Sequence, residues 1–211
     1  GDIARDIVLG DEGSATFDSE ARLDVITSTN TDTGGDDHIT TGGGPDVVLA
    51  GAAQDTVLTE SGDDIVFGDS GEATFNSDLD TDVLAEQIGI LRTISSLTAA
   101  IGDDDTLTTD EGSDIVLGGA QDDAITAYLA TEVESDTILG DSGSITFEVD
   151  GSIKTIATTD SGIGGSDIIH TQNGADIVIG GAAGDIITTG TDESGDIARD
   201  IVLGDEGSAT F

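Results

Sequence analysis

Apolar residues return along this chain with a period of nine. From Asp32 to Asn76 the sequence divides without gaps into DTGGDDHIT, TGGGPDVVL, AGAAQDTVL, TESGDDIVF and GDSGEATFN. Carried over the whole chain, this frame gives twenty blocks, starting at 1, 10, 19, 32, 41, 50, 59, 68, 77, 100, 109, 118, 131, 140, 149, 162, 171, 180, 195 and 204. The eighth residue is apolar in all twenty and the sixth is Asp in fifteen. Five insertions, at 28–31, 86–99, 127–130, 158–161 and 189–194, interrupt the frame. The recurring triplets of Val, Ile, Leu and Thr predict short strands. With aromatics at 3% and no Trp, Met or Cys, the core must be built of thin layers of small branched residues.

A longer repeat contains the short one. Residues 1–17 recur unchanged at 195–211, an offset of 194 residues. Within that period GDEGSATF at 10, GDSGEATF at 68, GDSGSITF at 140 and GDEGSATF at 204 mark three sub-repeats, 10–67, 68–139 and 140–203. Repeats of this kind predict a solenoid whose coils touch only their neighbours. The expectation is one continuous solenoid segment over 1–211, with 195–211 opening the next period of a tandem array.

The nonapeptide resembles the calcium-binding repeat of the RTX family, G-G-x-G-x-D-x-U-x. The first Gly is often Thr or Ala here, and the second is often acidic. The resemblance implies an all-β fold, a parallel β-roll. In that roll six residues turn around calcium, three form a strand, and two nonapeptides (18 residues) make one coil. Eighteen blocks per period then give nine coils, rising about 43 Å at the usual strand spacing. It also implies several bound Ca2+ ions held by the Asp at position six. These are Asp6, Asp24, Asp46, Asp64, Asp82, Asp114, Asp136, Asp176 and Asp200 in the odd row, and Asp37, Asp55, Asp105, Asp123, Asp167 and Asp185 in the even row. Lys154 interrupts the odd row, where its ammonium is expected to replace one calcium between Asp136 and Asp176. The even row has Ala15, Ala73, Ile145 and Ala209 instead of Asp. Sites should therefore cluster there, and Asp11, Asp69, Asp141 and Asp205 either supply the missing carboxylate or lie on the surface.

With position eight pointing inward, positions seven and nine point outward. In even blocks these are mostly polar, such as Thr16/Asp18, Thr74/Asn76 and Thr106/Thr108; in odd blocks they are mostly apolar, such as Val47/Leu49, Ile65/Phe67 and Ile177/Ile179. Strands apolar on both faces are normally covered on both. The expectation is lateral packing of the odd sheet on another solenoid or an adjoining domain; β propensity alone is the plainer account. The insertion 86–99 carries Ile88, Leu91, Ile94 and Leu97, a spacing that suits a short helix or a plain loop.

Charge narrows the function. Forty-five acids stand against five bases, a net charge of −40, which excludes nucleic acid as a natural partner. Self-repulsion opposes compaction until cations neutralise it. No apolar run of about 18 residues predicts membrane insertion. The two histidines, His38 and His170, are six coils apart in this frame, about 29 Å, and no nucleophile elbow or phosphate loop is present. A non-enzymatic rod, stalk or filament segment of a giant secreted or cell-surface bacterial adhesin is the expected role. By the resemblance, such chains fold in calcium outside the cell. The alternative is a surface recognising ice, polysaccharide or another cell. The secretion-linked roll of an exoenzyme fits the 194-residue return less well.

Overall fold

The computed structural model describes residues 4–76, 89–128, 134–190 and 198–211. All its regular elements are strands. After β1 (Ile7–Leu9), the first sub-repeat supplies β2 (Gly13–Phe17), β3 (Leu23–Ser28), β4 (His38–Thr40), β5 (Val47–Leu49), β6 (Thr56–Leu58) and β7 (Ile65–Phe67). The second supplies β8 (Gly71–Phe75), β9 (Leu91–Ser96), β10 (Thr106–Thr109), β11 (Ile115–Gly119), β12 (Ala124–Ala127) and β13 (Thr137–Asp141). The third supplies β14 (Gly143–Phe147), β15 (Ile153–Thr158), β16 (Ile168–Thr171), β17 (Ile177–Ile179), β18 (Ile186–Thr188) and β19 (Ile201–Leu203), and β20 (Ser208–Thr210) repeats β2.

These strands form three sheets rather than two. A central parallel sheet runs β1-β5-β7-β11-β13-β17-β19, and an outer parallel sheet runs β4-β6-β10-β12-β16-β18. Together they are the parallel roll. A third, antiparallel sheet runs β2-β3-β8-β9-β14-β15-β20. Two cores result. Val48, Val66, Val116, Ile138 and Val178 of the central sheet meet Ile39, Val57, Leu107, Ile125 and Ile169 of the outer one. The other central face, with Val47, Leu49, Ile65, Phe67, Leu117, Leu139 and Ile179, packs against Leu23, Ile26, Ala73, Phe75, Ile94, Ile145 and Ile156 of the antiparallel sheet.

The apolar face is therefore covered, but by the chain itself. The expected lateral partner is replaced by segments that read as further coils in the nonapeptide frame. Asp-less blocks supply part of this cover: Ala73 and Ile145, at the usual Asp position, are fully buried in the second core. A Cβ on Gly71 would collide with the Phe67 ring, and one on Gly143 with the Leu139 side chain. That glycine lets the chain fold back over the strand it has just left.

The 86–99 insertion is no helix over its described part; Leu91–Ser96 is strand β9. Its three-residue apolar spacing comes from a β-bulge. Thr74 pairs with Thr93 and Phe75 with Leu91, so Arg92 is the extra residue and both Leu91 and Ile94 face the core. Leu23/Ile26 and Ile153/Ile156 repeat this geometry, with Asp24 and Lys154 as the extra residues.

Each sub-repeat thus adds two strands to every sheet. Among the described residues a 194-residue period makes six coils, not nine, and rises about 29 Å. His38 on β4 and His170 on β16 are four strand steps apart, about 19 Å.

Ala73→Asp separates the two architectures. It restores the nonapeptide consensus, and in a coil it would add a site. In the cover sheet it buries an unpaired carboxylate, and we expect a loss of about 3 kcal/mol or more, read by denaturant unfolding in calcium. Ile94→Ala should cost about 2–5 kcal/mol in the same assay.

Candidate metal centre

The turns between central and outer sheets bring one Asp per half-coil into two straight rows. Along one edge Asp6, Asp46, Asp64, Asp114 and Asp136 donate their backbone N–H to Oδ1 of Asp46, Asp64, Asp114, Asp136 and Asp176, and Asp176 donates to Asp200, at 2.7–3.2 Å. Along the other edge Asp37, Asp55, Asp105, Asp123 and Asp167 donate to Asp55, Asp105, Asp123, Asp167 and Asp185, at 2.7–3.1 Å. Each row is continuous. The even row has no gaps, because the blocks of Ala15, Ala73, Ile145 and Ala209 belong to the antiparallel sheet.

Thirteen of the fifteen sequence-derived Asp residues fall on these rows. Asp24 does not: it is the bulge residue of β3. Asp82 lies outside the described residues. Lys154 is not between Asp136 and Asp176, which bond each other directly; it sits on β15 and its Nζ is 3.3 Å from Glu148. A β-bulge and a coil both advance the frame by whole residues, so position counting could not separate them.

The second oxygen of the ladder carboxylates is the telling feature. Oδ2 of Asp46, Asp55, Asp105, Asp123, Asp167 and Asp185 is buried and accepts no hydrogen bond. A buried carboxylate oxygen without a donor is costly unless a cation meets it. On the even edge, where the chain leaves the central strands β1 to β17, stands Gly10, Gly68, Gly118, Gly140 or Gly180, with Ala50 in one coil. A Cβ on Gly118 would collide with both Asp123 Oδ2 and the Gly140 carbonyl, and one on Gly68 with Asp105 Oδ2 and the Gly118 carbonyl. These glycines keep a carboxylate and a carbonyl oxygen side by side. Among the described residues no three acidic or imidazole side chains converge on one point. The donor set is therefore carboxylates joined by backbone carbonyls, which suits calcium, a hard cation taking six to eight oxygens.

A further set of carboxylates lies beside the even row. Asp69 and Asp141 are 4% and 2% exposed, not surface residues. Ala120 N–H donates to Asp69 Oδ2 at 2.5 Å, Gly165 N–H to Asp141 Oδ1 at 2.9 Å, and Ala182 N–H to Asp141 Oδ2. Asp11 likewise accepts from Gly35 and Ala52. Their place after a central strand, in GDEG and GDSG, is the sequence signal for them.

Burial first, and neighbouring like charge after it, raise these carboxyls. Asp64 and Asp141 stand at about 6, Asp55 at about 7, Asp69, Asp105 and Asp167 at about 8, and Asp123 at about 10. Folded values above the unfolded value of 3.8 mean that the metal-free fold takes up protons. In chelator its stability should be highest below pH 4 and fall as pH rises through about 6–8. Calcium should remove that fall above neutrality. Urea midpoints across pH with EDTA or with calcium check both signs.

A profile of the RTX calcium-binding nonapeptide repeat matches residues 31–66, 40–75, 49–84, 101–127 and 161–193, together more than half of the chain. No curated protein and no solved structure matches it.

Proposed function

The chain belongs to the RTX calcium-binding nonapeptide-repeat family, and from that premise we propose that it is a calcium-built rod, one period of a longer tandem array outside a bacterial cell. The repeats of this family bind several calcium ions, and its proteins are generally secreted or extracellular. The observation that carries the reading is the pair of aspartate ladders, with buried, donorless Oδ2 atoms at Asp46, Asp55, Asp105, Asp123, Asp167 and Asp185. The proposed ligands are the ladder carboxylates: Asp6, Asp46, Asp64, Asp114, Asp136, Asp176 and Asp200 on one edge, and Asp37, Asp55, Asp105, Asp123, Asp167 and Asp185 on the other. Turn carbonyls complete each site.

Calcium binding to the folded state alone stabilises it by mass action, and without it the carboxylates oppose compaction. A chain of this kind is unfolded where calcium is scarce and stiffens where it is abundant. Six strands added to each of three sheets per period let successive periods join without a mismatch, which supports a stalk that projects an adhesive tip.

One observation favours a second reading, a polysaccharide-binding face. The outer surface of the antiparallel sheet aligns Thr16, Val25, Thr74, Thr93, Thr146, Thr155 and Thr210 across its seven strands. Sedimentation with insoluble polysaccharides tests it, and retention at physiological salt would favour it over the rod alone.

Far-UV circular dichroism with a calcium titration, beside EDTA and magnesium, tests the main reading. The expected result is a cooperative coil-to-β conversion with calcium alone. β structure unchanged in EDTA would mean that the two cores hold the fold unaided. The double variant Asp105→Asn/Asp123→Asn should raise the calcium midpoint roughly tenfold.

A further inference from the structure

Threonines stand at the ends of outer strands on the odd edge, and glycines where the chain leaves the central strands on the even edge. At three of those glycines, Gly10, Gly68 and Gly140, the chain departs for the cover sheet, and the next residue is Asp11, Asp69 or Asp141. Each of these carboxylates is held between two glycines of the roll, where a Cβ would collide with it: Gly34 and Gly51 around Asp11, Gly102 and Gly119 around Asp69, Gly164 and Gly181 around Asp141. Two of the three corners are closed by the backbone. Asp11 accepts N–H groups from Gly35 and Ala52, and Asp141 from Gly165 and Ala182, one on each oxygen.

The corner of the second sub-repeat is not closed. Ala120 N–H donates to Asp69 Oδ2, but Asp69 Oδ1 is buried and has no partner. Where Gly35 and Gly165 stand in the other two corners, Asp103 stands here. Asp105, two residues on, is 1% exposed, and its Oδ2 is also buried and donorless. A Cβ on Gly68, next to Asp69, would meet both that oxygen and the Gly118 carbonyl. Burial pushes the Asp69 carboxyl up to about 8, and the charges of Asp105, Asp55 and Asp103 add to it. Hydrogen bonds leave the cost of these two buried oxygens unmet.

We propose that the second sub-repeat has a calcium site the other two lack, with Asp69 Oδ1 and Asp105 Oδ2 as its carboxylate ligands and the Gly118 carbonyl beside them. The corners of Asp11 and Asp141 are hydrogen-bonded clamps that take no ion through those side chains. Calcium affinity follows the charge of the ligand set; two carboxylates supply it here, and the exposed Asp103 adds negative charge nearby without joining them. With one Asp69 in each 194-residue period, a tandem array carries one such site per period.

The inference rests on the calcium reading above, and its test separates the two. Native mass spectrometry of the full chain in excess calcium counts the bound ions. Asp69→Asn, which keeps the shape of the side chain, should hold one ion fewer than the native chain, whereas Asp141→Asn should hold the native number. Asp103→Gly, which makes this corner like the other two, should weaken one site roughly tenfold in a calorimetric titration. Should Asp69→Asn fail to fold, Asp103→Gly decides the matter. A native ion count in Asp69→Asn would mean that Asp69 is a neutral buried acid, and would overturn the site while leaving the calcium roll intact. Loss of an ion from Asp141→Asn as well would overturn its restriction to the second sub-repeat. A native chain that binds no calcium sinks both readings.

Discussion

Each coil is tied to the next by the same bond, from the backbone N–H of a ladder aspartate to Oδ1 of its counterpart one coil on. The bond divides the carboxylate in two. One oxygen closes the backbone ladder and fixes the side chain; the other, at Asp46, Asp55, Asp105, Asp123, Asp167 and Asp185, is left buried and without a donor. A neutral side chain could make the first contact, but only a carboxylate also leaves a charged oxygen facing inward. Stability and metal demand therefore come from one residue type, used once per turn. The raised pKa values along the even row, up to about 10 at Asp123, are the electrostatic expression of that geometry.

The parallel roll is narrow, and its central sheet is apolar on both faces. Leaving one of them wet would expose Leu49, Phe67, Leu117 and Leu139. The chain solves this by sending two strands per sub-repeat across the open face. The match is one of spacing: strands lie about 4.8 Å apart in any sheet, so a cover must supply strands as fast as the roll does. Two cover strands for every two coils meet that condition, and the third layer can grow indefinitely with the first two. An antiparallel cover does so with little extra chain, since a short hairpin connection joins β2 to β3 and β14 to β15.

Much of the candidate site was legible in the sequence, because ladder position depends only on the local turn. Asp at position six, with an apolar residue two places later, is the sequence mark of a coil turn, and thirteen such aspartates lie on the ladders. Asp24 and Lys154 misled the count, because a bulge in the cover sheet reproduces the frame without the turn. The i, i+3 spacing of Leu91 and Ile94 pointed to a helix for the same reason. Their partners, β8 and β14, lie far enough along the chain that no local pattern names them.

The sequence by itself determined the repeat, the parallel strands, the metal chemistry and the need to cover an apolar face, since each follows from residue type at a fixed local spacing. Only the tertiary structure decided which blocks are coils and which are cover. Both kinds present an apolar residue at position eight, and the choice between them rests on which sheet edge is open when the chain arrives. It also decided that the two edges differ, because glycine and threonine stand at the ends of strands of different sheets, a distinction that exists only once the sheets do.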